Sequence, residues 1–417
     1  MRSRSLLPPL RTLATESSLG RIVVLTGARQ TGKTTLAQRG FPEYVYLSLE
    51  DPVTRPEYSA LSAAQWRAGY PVAILDEVQK APSLIESVKA AYDAWPEVRY
   101  LLLGSSQILL LERVRESLAG RAALVELYPL TLPEMLTEGW RNPVPESRFI
   151  TWLRNGAGTA FTGIPRAETS HARSELAFRQ YLQFGAMPAV AAGELNEPER
   201  YDWLSAYVRT YLQRDLRDLA NLRDLTPFIR AQKSLASLTG QLLNISELSR
   251  LAGITAPTAK RFIQYLDLSY QVILLEPWFR NLGKRLVKAS KLHFLDPGIQ
   301  RSLLQRRGEL TGAEYESAVV AEIFKQLKNS RLPVNCYHLR TADGREVDLL
   351  LELETGFVPI EIKQTARASA SATRHLKRLE DILDKPVLHA LLVSNDPQIR
   401  SLGDTITAVP APWLLAF

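Results

Sequence analysis

Residues 27 to 34 combine the residue types that bind phosphate. They follow the apolar run from Ile22 to Leu25, which predicts a strand, and they precede a helical pattern. Two glycines allow successive backbone N–H groups to curl round a phosphate, and the following helix points its positive end at it. The lysine reaches the β- and γ-phosphates, and the next threonine supplies a hydroxyl ligand for Mg²⁺. The predicted nucleotide-binding residues are Gly27, Ala28, Arg29, Gln30, Thr31, Gly32, Lys33, Thr34 and Thr35.

A second, acidic site supports the interpretation of this loop. The apolar run from Val72 to Leu75 ends in Asp76 and Glu77. Asp76 is expected to bind Mg²⁺ through water, and Glu77 is expected to polarise the water that attacks the γ-phosphate. The alternative is a buried strand with solvated acids at its end, which the upstream loop makes the weaker interpretation. The two sites together predict ATP hydrolysis with Mg²⁺ as cofactor, and Lys33 and Glu77 as catalytic residues.

Polar residues further along the chain are candidates for contact with the γ-phosphate. Ser105 and Ser106 follow the next apolar run, and Ser105 is the predicted sensor, although either serine could instead cap the following helix. Arg121 precedes the fifth candidate strand and is expected to stabilise transition-state charge, in its own subunit or in a neighbouring one. The alternative for Arg121 is a surface ion pair with a carboxylate. Arg115 is a weaker candidate for the same role.

A separate acidic group lies in the last quarter of the chain. Strand alternation within 359–363 places Glu361 and Lys363 on one face, and Asp348 belongs to the preceding strand. Glu316 lies on the inner stripe of a predicted helix. Carboxylates that bind Mg²⁺ beside a lysine that orients water are the minimal machinery of phosphodiester hydrolysis. We therefore predict Glu316, Asp348 and Glu361 as metal ligands, and Asp348, Glu361 and Lys363 as catalytic residues. The alternatives are a hairpin with solvated charges, or a domain that binds without cleaving.

The segment between these sites has the pattern of a winged helix-turn-helix. Residues 243–255 predict a helix capped by Ser246, a glycine turn and the start of a second helix. Two strand-like runs, 272–275 and 291–295, then predict a wing. Such a domain contacts DNA phosphates and base edges, but in ATPases it also serves as a packing or protein-contact module. The cations crowded into the wing are Arg280, Lys284, Arg285 and Lys288.

Alternating elements must position the nucleotide site. Apolar runs at 22–26, 44–49, 72–75, 100–103 and 123–127 alternate with helical patterns, which is typical of an α/β domain with a parallel sheet. Residues 201–219 predict one long helix. The chain of 417 residues is long enough for about two to four domains. The predicted divisions are an N-terminal segment (1–20), the P-loop core (21–140), a helical linker (141–228), the winged helix (229–305) and a C-terminal α/β domain (306–417).

Composition narrows the partners and the compartment. The net charge of +7 favours an acidic partner such as nucleic acid. No apolar run approaches the roughly 20 residues that span a bilayer, and the basic N-terminus lacks the continuous apolar core of a signal peptide. The single cysteine, Cys336, cannot form an intrachain disulfide. We therefore expect a cytoplasmic protein without membrane contact. The expected partner is DNA, in duplex or branched form. Protein partners and an oligomeric state are both compatible with the sequence.

The ordered motifs resemble those of a known family. The segments GARQTGKTTL, VAILDEVQ, LLLGSSQ, SLAGR and ELYPLTLPE together look like a large prokaryotic group of AAA+-type ATPases, whose C-terminal region is a domain of unknown function. The resemblance runs over most of the chain. It implies a parallel sheet of strand order 5-1-4-3-2, with Asp76 and Glu77 in the Walker B role and Ser105 or Ser106 as sensor.

The C-terminal acids are similar to a second group. Asp348, then Glu361-x-Lys363, with Glu316 on the preceding helix, resemble the PD-(D/E)xK nuclease superfamily over about 312–395, which implies a restriction-endonuclease-like fold. The expected function is an ATPase that couples ATP hydrolysis to DNA binding or processing. The alternatives are a nucleotide-dependent signalling or assembly switch in which the nuclease-like domain is inert, and ATP-gated DNA binding without cleavage.

Overall fold

The structure is a computed structural model that describes residues 1–17, 20–104, 118–163, 165, 170–212, 224–280, 289–341 and 343–417. The helices of the first part are α1 (Leu7–Glu16), α2 (Lys33–Gly40), α3 (Arg55–Ser59), α4 (Ala63–Gly69) and α5 (Leu84–Ala94), with a 3-10 turn at Val78–Lys80. The strands are β1 (Ile22–Thr26), β2 (Val45–Ser48), β3 (Val72–Asp76), β4 (Arg99–Leu103) and β5 (Ala122–Glu126).

These five strands form one parallel sheet in the order β2-β3-β4-β1-β5. This is the expected order, 5-1-4-3-2, so that prediction is confirmed. Every side chain of the interior strand β1 is buried, as in a sheet covered on both faces. Because all strands run in the same direction, their carboxyl ends meet at one edge, where the loop after β1 and the acids after β3 come together.

The N-terminal helix α1 covers one face of this sheet. Leu6, Leu10 and Ala14 are buried against Val23 and Leu25 of β1. Prolines at the start of α1 suit the first helical turn, where the missing N–H has no intrahelical partner. The residues before α1 lie beside the loop that follows β1, because Arg4 donates a hydrogen bond to the carbonyl of Thr31 in that loop.

A helical region follows the sheet. Its helices are α6 (Leu132–Leu136), α7 (Arg148–Arg154), α8 (His171–Phe184), α9 (Pro188–Ala191), α10 (Glu197–Tyr207), α11 (Thr226–Ser237), α12 (Ile245–Ala252), α13 (Ala256–Leu268) and α14 (Pro297–Leu304). The predicted long helix over 201–219 differs in part: α10 ends at Tyr207 and continues as a π-helix at Val208–Leu212, and 213–219 lie outside the described residues.

The cap of α12 differs from the prediction. Asn244, not Ser246, is the N-cap, because the Asn244 side chain accepts a hydrogen bond from the backbone N–H of Glu247 at 3.1 Å. Ser246 lies within the first turn of α12, two residues after the N-cap position. Gly253 has φ of +67°, the left-handed conformation that ends α12 and opens the turn to α13.

A nine-stranded sheet joins the middle and the C-terminal parts of the chain. Its order is β13-β14-β12-β11-β10-β9-β7-β8-β6. The strands are β6 (Gln241–Leu242), β7 (Val272–Pro277), β8 (Lys291–Phe294), β9 (Asn335–Arg340), β10 (Glu346–Glu352), β11 (Phe357–Lys363), β12 (Ala390–Ser394), β13 (Arg400–Gly403) and β14 (Ile406–Pro410). The remaining helices are α15 (Gly312–Ser330) and α16 (Ala411–Leu414), with 3-10 turns at Ala370–Leu376 and Leu379–Asp381.

Pairing of β7 with β9 crosses the predicted boundary at 305/306. Glu276 pairs with Tyr337 and Pro277 with His338. Strands from both sides of that boundary therefore share one hydrogen-bonded sheet, and the division at 305/306 stays a prediction. Strands β10 and β11 pair as an antiparallel hairpin, with the turn at residues 353–356.

Helix α15 is attached to the end of the first sheet by buried polar contacts. Glu322 and Lys325 are fully buried and form an ion pair of 2.7 Å. The Glu322 carboxylate accepts from the backbone N–H of Leu132 at 2.6 Å, and the Lys325 ammonium donates to the carbonyl of Leu130 at 2.7 Å. The stretch that leaves β5 thus packs on α15. Within the described ranges, no helix is long and apolar enough to cross a membrane.

Candidate functional site

The loop between β1 and α2 has the backbone of a phosphate-binding loop. Gly27 has φ of +148°, and a Cβ there would lie 2.2 Å from the carbonyl oxygen of Leu127 on the neighbouring strand end. Gly32 has φ of +93°, and a Cβ there would meet open space. Gln30 adopts φ of +60°. Glycine is therefore required at 27 by close packing and at 32 by the backbone conformation that opens the cradle.

Side chains of the loop and its neighbours bind the loop's carbonyl oxygens. The Lys33 ammonium donates to the carbonyls of Gly27 at 2.9 Å and Ala28 at 2.8 Å, and the Thr31 hydroxyl donates to Ala28 at 2.8 Å. The Tyr207 hydroxyl donates to the carbonyl of Arg29 at 3.0 Å. Because these side chains bind the carbonyl oxygens of the loop, the backbone N–H groups of the loop remain to donate to a phosphate. Lys33, Thr34 and Thr35 form the first turn of α2, as predicted.

Thr34 and Asp76 meet at the edge of the sheet. The Thr34 hydroxyl donates to Asp76 Oδ2 at 2.7 Å, and the Tyr46 hydroxyl donates to the same oxygen at 2.9 Å. Burial raises the pKa of Tyr46 to about 12, with the negative charge of Asp76 as a further cause. A hydroxyl and a carboxylate in contact are oxygen ligands of the kind that Mg²⁺ binds, so these residues fit the cofactor that the sequence predicts.

Glu77 follows Asp76 in a left-handed conformation with φ of +59°. Its backbone N–H donates to Asp76 Oδ1 at 2.9 Å, and its carboxylate accepts a short hydrogen bond from the Gln79 amide. A non-glycine residue with positive φ is uncommon, and such conformations cluster at functional sites. The two successive acids at the end of β3 thus have different partners: Asp76 contacts Thr34, and Glu77 contacts Gln79.

The predicted γ-phosphate contacts have different outcomes. Ser105, Ser106 and Arg115 lie outside the described residues. The Arg121 guanidinium forms an ion pair of 2.7 Å with Asp93 of α5. Ala122 pairs with Ile22 at the amino end of β1, so Arg121 lies at the opposite edge of the sheet from the loop, roughly 16 Å away at about 3.3 Å per residue. The ion pair with a carboxylate, which was the alternative for Arg121, is thus present, and a role of Arg121 at a γ-phosphate, in its own subunit or in a neighbouring one, stays a prediction.

The predicted C-terminal residues lie together. The Lys363 ammonium is 2.7 Å from Glu361 Oε1 and 3.5 Å from Asp348 Oδ2. Asp348 and Glu361 are buried, whereas the Lys363 side chain is 43% exposed. Burial raises the pKa of Glu361 to about 7, with the charge of Asp348 adding to the effect and that of Lys363 opposing it. Strand alternation therefore predicted this face correctly.

Lys291 enters this acid cluster from β8, a contact that the sequence did not predict. Its ammonium lies 2.7 Å from Glu316 Oε1, 3.0 Å from Glu346 Oε1 and 3.2 Å from Asp348 Oδ1. The side chain is 2% exposed. Burial opposes the charged form, but the nearby carboxylates outweigh it and raise the pKa of Lys291 above its usual value. Burial raises the pKa of Glu316 to about 8, with Asp348 contributing and Lys291 opposing.

His293 lies two residues further along β8, with Nε2 4.0 Å from Glu316 Oε1. It is fully buried, and burial lowers the pKa of His293 well below its usual value, so the ring is neutral. Among the described residues, no group of three or more His, Cys, Asp or Glu side chains has an arrangement that would bind a metal ion. The metal-ligand assignments of Glu316, Asp348 and Glu361 stay predictions.

The sheet order, the loop after β1 and the acid pair after β3 define a P-loop ATPase of the AAA type. Family models match three consecutive stretches of the chain. An AAA domain matches residues 19–136, a domain of unknown function (DUF8612) matches 175–310, and another (DUF4143) matches 311–414. ATPases of this class bind a nucleotide and usually Mg²⁺.

Relatives cover nearly all of the chain. Uncharacterized protein Rv2008c of Mycobacterium tuberculosis and Uncharacterized protein Mb2031c of Mycobacterium bovis are each 30% identical over 407 residues, which span 94% of this chain and 81% of the relative. The chain belongs to the same family as these two mycobacterial proteins.

Two solved structures that resemble this chain have low sequence identity and low TM-scores. The Walker-type ATPase paby2304 of Pyrococcus abyssi is 14% identical with a TM-score of 0.45, over 73% of this chain and 96% of that one. The STAND protein PH0952 of Pyrococcus horikoshii, which has a tetratricopeptide repeat sensor, is 11% identical with a TM-score of 0.25, over 78% and 45%. Both TM-scores lie below 0.5.

Proposed function

We propose that this ATPase couples ATP hydrolysis to DNA binding through a winged helix formed by α11 to α13 and the strands β6 to β8. The observation that carries the proposal is the exposed face of α13. This helix buries Phe262, Ile263 and Leu266 and exposes Lys260, Arg261 and Gln264. Cations and an amide on the outer face of the second helix of such a pair suit phosphate and base-edge contacts.

The test compares two pairs of exposed neighbouring cations. Lys260→Ala with Arg261→Ala should weaken binding to duplex DNA and reduce the slope of log K against log salt by about two, since two fewer counterions are released. The matched control is Lys377→Ala with Arg378→Ala, which removes two exposed cations from the C-terminal part. Salt titrations of binding by fluorescence anisotropy measure both. Equal affinity and slope in both double variants and the parent would contradict the proposal.

At the nucleotide site, each residue has a separate role in the proposed reaction. Lys33 neutralises phosphate charge, and Thr34 and Asp76 are the residues that would bind Mg²⁺, which supplies further neutralisation of the phosphate oxygens. The Glu77 carboxylate accepts a hydrogen bond from a water molecule and aligns it with the γ-phosphorus. The water oxygen bonds to that phosphorus while the bond from the phosphorus to the β–γ bridging oxygen breaks, and the water gives up a proton to Glu77 or to solvent, so that ADP and inorganic phosphate are released.

The C-terminal part has two candidate roles. The contacts of Glu361 and Lys363 favour a nuclease-like site that acts on DNA. The Lys291 ammonium favours the second candidate, a nucleotide-dependent assembly or signalling switch with an inert nuclease-like domain, because a lysine already neutralises the carboxylates that would bind metal. The protein partners of such a switch would then replace DNA as the target.

Cleavage assays separate the two roles. Parent protein is incubated with duplex, branched and single-stranded DNA, with Mg²⁺ or Mn²⁺, and with or without ATP. Cutting that disappears in Asp348→Asn, Glu361→Gln and Lys363→Ala supports the nuclease role, and Glu316→Gln should have a smaller effect. Cutting that persists in all of these variants comes from a contaminant. No cutting by the parent under any condition supports the inert domain.

A further inference from the structure

Arg4 lies behind the phosphate-binding loop, far from it in sequence. Its side chain is 3% exposed. Nη1 donates to the carbonyl of Thr31 in the loop at 3.2 Å, and Nη2 donates to the carbonyl of Tyr128 at 2.5 Å. Nε lies 3.4 Å from Glu134 Oε2. One planar guanidinium thus joins the loop, the chain segment after β5 and a buried carboxylate.

Glu134 is itself fixed on several sides. It is fully buried, and its carboxylate accepts from the backbone N–H and the hydroxyl of Ser5, both at 2.8 Å, and from the backbone N–H of Thr131 at 2.9 Å. The Asn329 amide of α15 donates to the Ser5 hydroxyl at 3.0 Å. The guanidinium is therefore supported by hydrogen bonds that extend from the N-terminal segment to helix α15.

We propose that Arg4 is a positioning residue for ATP binding, which fixes the Thr31 peptide of the phosphate-binding loop in the orientation that the nucleotide requires. A loop that directs its N–H groups at phosphate must turn its carbonyl groups away, and a buried carbonyl needs a donor. Lys33 and Tyr207 donate hydrogen bonds to the carbonyls of residues 27 to 29, and Arg4 donates one to the carbonyl of Thr31. The positive charge of Arg4 is offset by Glu134, so its effect is geometric rather than electrostatic.

The inference rests on the proposed ATP hydrolysis at this loop and adds a residue that lies outside the loop motif. Without the contact, the Thr31 peptide is free to leave the orientation that the nucleotide requires, so ATP affinity should fall about tenfold or more. Saturating ATP should restore most of the turnover, because Arg4 does not contact the reacting atoms. The expected pattern is a raised KM with a kcat within about twofold of the parent.

The experiment measures ATP affinity by calorimetry with Mg²⁺, and steady-state KM and kcat, in full-length variants well below their melting temperatures. Arg4→Gln should lose the contact, and Arg4→Lys should be intermediate, because an ammonium keeps the charge opposite Glu134 but not the planar fork. The matched control is Arg11→Gln. Arg11 anchors the same helix α1 through Gly40 and Glu43, with 2.9 Å to the Glu43 carboxylate, and does not touch the loop.

Weakened affinity in both Arg4 variants, with parent-like affinity in Arg11→Gln, supports the proposal. A lower melting temperature with unchanged ATP affinity in the Arg4 variants would overturn it, because that pattern belongs to a structural contact only. If Arg4→Gln is not recovered as folded protein, Arg4→Lys decides between the same two outcomes. A parent that does not bind ATP would instead refute the ATPase function, and this inference with it.

Discussion

Lys291 concentrates an unusual amount of charge in a buried position. Its ammonium contacts Glu316, Glu346 and Asp348 within 3.2 Å, and it enters from a strand of the middle region rather than from the strands that carry the predicted acids. A buried charge is tolerated only when it is paired, and removal of one partner leaves the others uncompensated. Lys291 therefore stabilises the packing of β8 against α15 and β10.

Lys291→Met should lower the stability of the protein by about 3–5 kcal/mol, because it leaves buried carboxylates without their cation. The control is Lys385→Met, which removes a partly exposed lysine 3.0 Å from Glu352 and should cost less than about 1 kcal/mol. Thermal unfolding at pH 7 compares the two. Similar melting temperatures for both variants would show that the Lys291 contacts contribute little.

Lys33→Ala should weaken ATP binding at least about tenfold, because the ammonium that neutralises phosphate charge is removed. Isothermal titration with ATP and Mg²⁺ measures the affinity, and far-UV circular dichroism checks that the variant is folded. Unchanged affinity in folded Lys33→Ala would exclude this lysine from the phosphate contacts.

Residues that belong to a recognisable local motif could be predicted from the sequence, and isolated residues that act across the fold could not. Thr34 was predicted from the phosphate-binding loop, and Asp76 from the acids that end an apolar run. Tyr46 carries no local sign of its contact with Asp76, which follows only from the pairing of β2 with β3. Arg4 and Lys291 are isolated cations in the sequence, and their partners lie in segments that meet only after folding.

Elements with a strong pattern were predicted well. Strand β1 has the predicted bounds, and the other four strands of its sheet lie within one or two residues of the predicted runs. The strand order came from the resemblance to AAA+-type ATPases, since apolar runs do not specify their neighbours. The cap of α12 was missed because Asn244 and Ser246 are both good caps, and only the contact with the Glu247 N–H decides between them.

The predicted wing includes Lys284, Arg285 and Lys288, which lie outside the described residues. The paired strands β7 and β8 flank this segment. If these cations contact phosphates, neutralising all three should weaken DNA binding across sequences and flatten its dependence on salt, since fewer counterions are released. Anisotropy titrations at several salt concentrations measure both, and ATPase activity without DNA should change little. Parent-like affinity and slope would remove the wing from the interface.

At the scale of the whole molecule, strand pairing and buried polar contacts connect distant parts of the chain. Continuity of the sheet from β6 to β13 unites the predicted winged helix with the C-terminal part, and the buried pair Glu322 and Lys325 attaches α15 to the segment after β5. Composition and turn signals cannot reveal pairing between β7 and β9, because these strands are far apart in the chain. Near the nucleotide site, Tyr270 at the end of α13 hydrogen-bonds Thr26, the last residue of β1, at 2.6 Å.

Steady-state phosphate release by the full chain, in the parent and in Glu77→Gln, tests the central claim most directly. The account predicts Mg²⁺-dependent turnover by the parent and a loss of about 100-fold or more in Glu77→Gln, with ATP affinity largely unchanged, because Glu77 acts on water and not on the bound phosphates. A parent without ATP turnover, or a Glu77→Gln variant that hydrolyses ATP as fast as the parent, would contradict it.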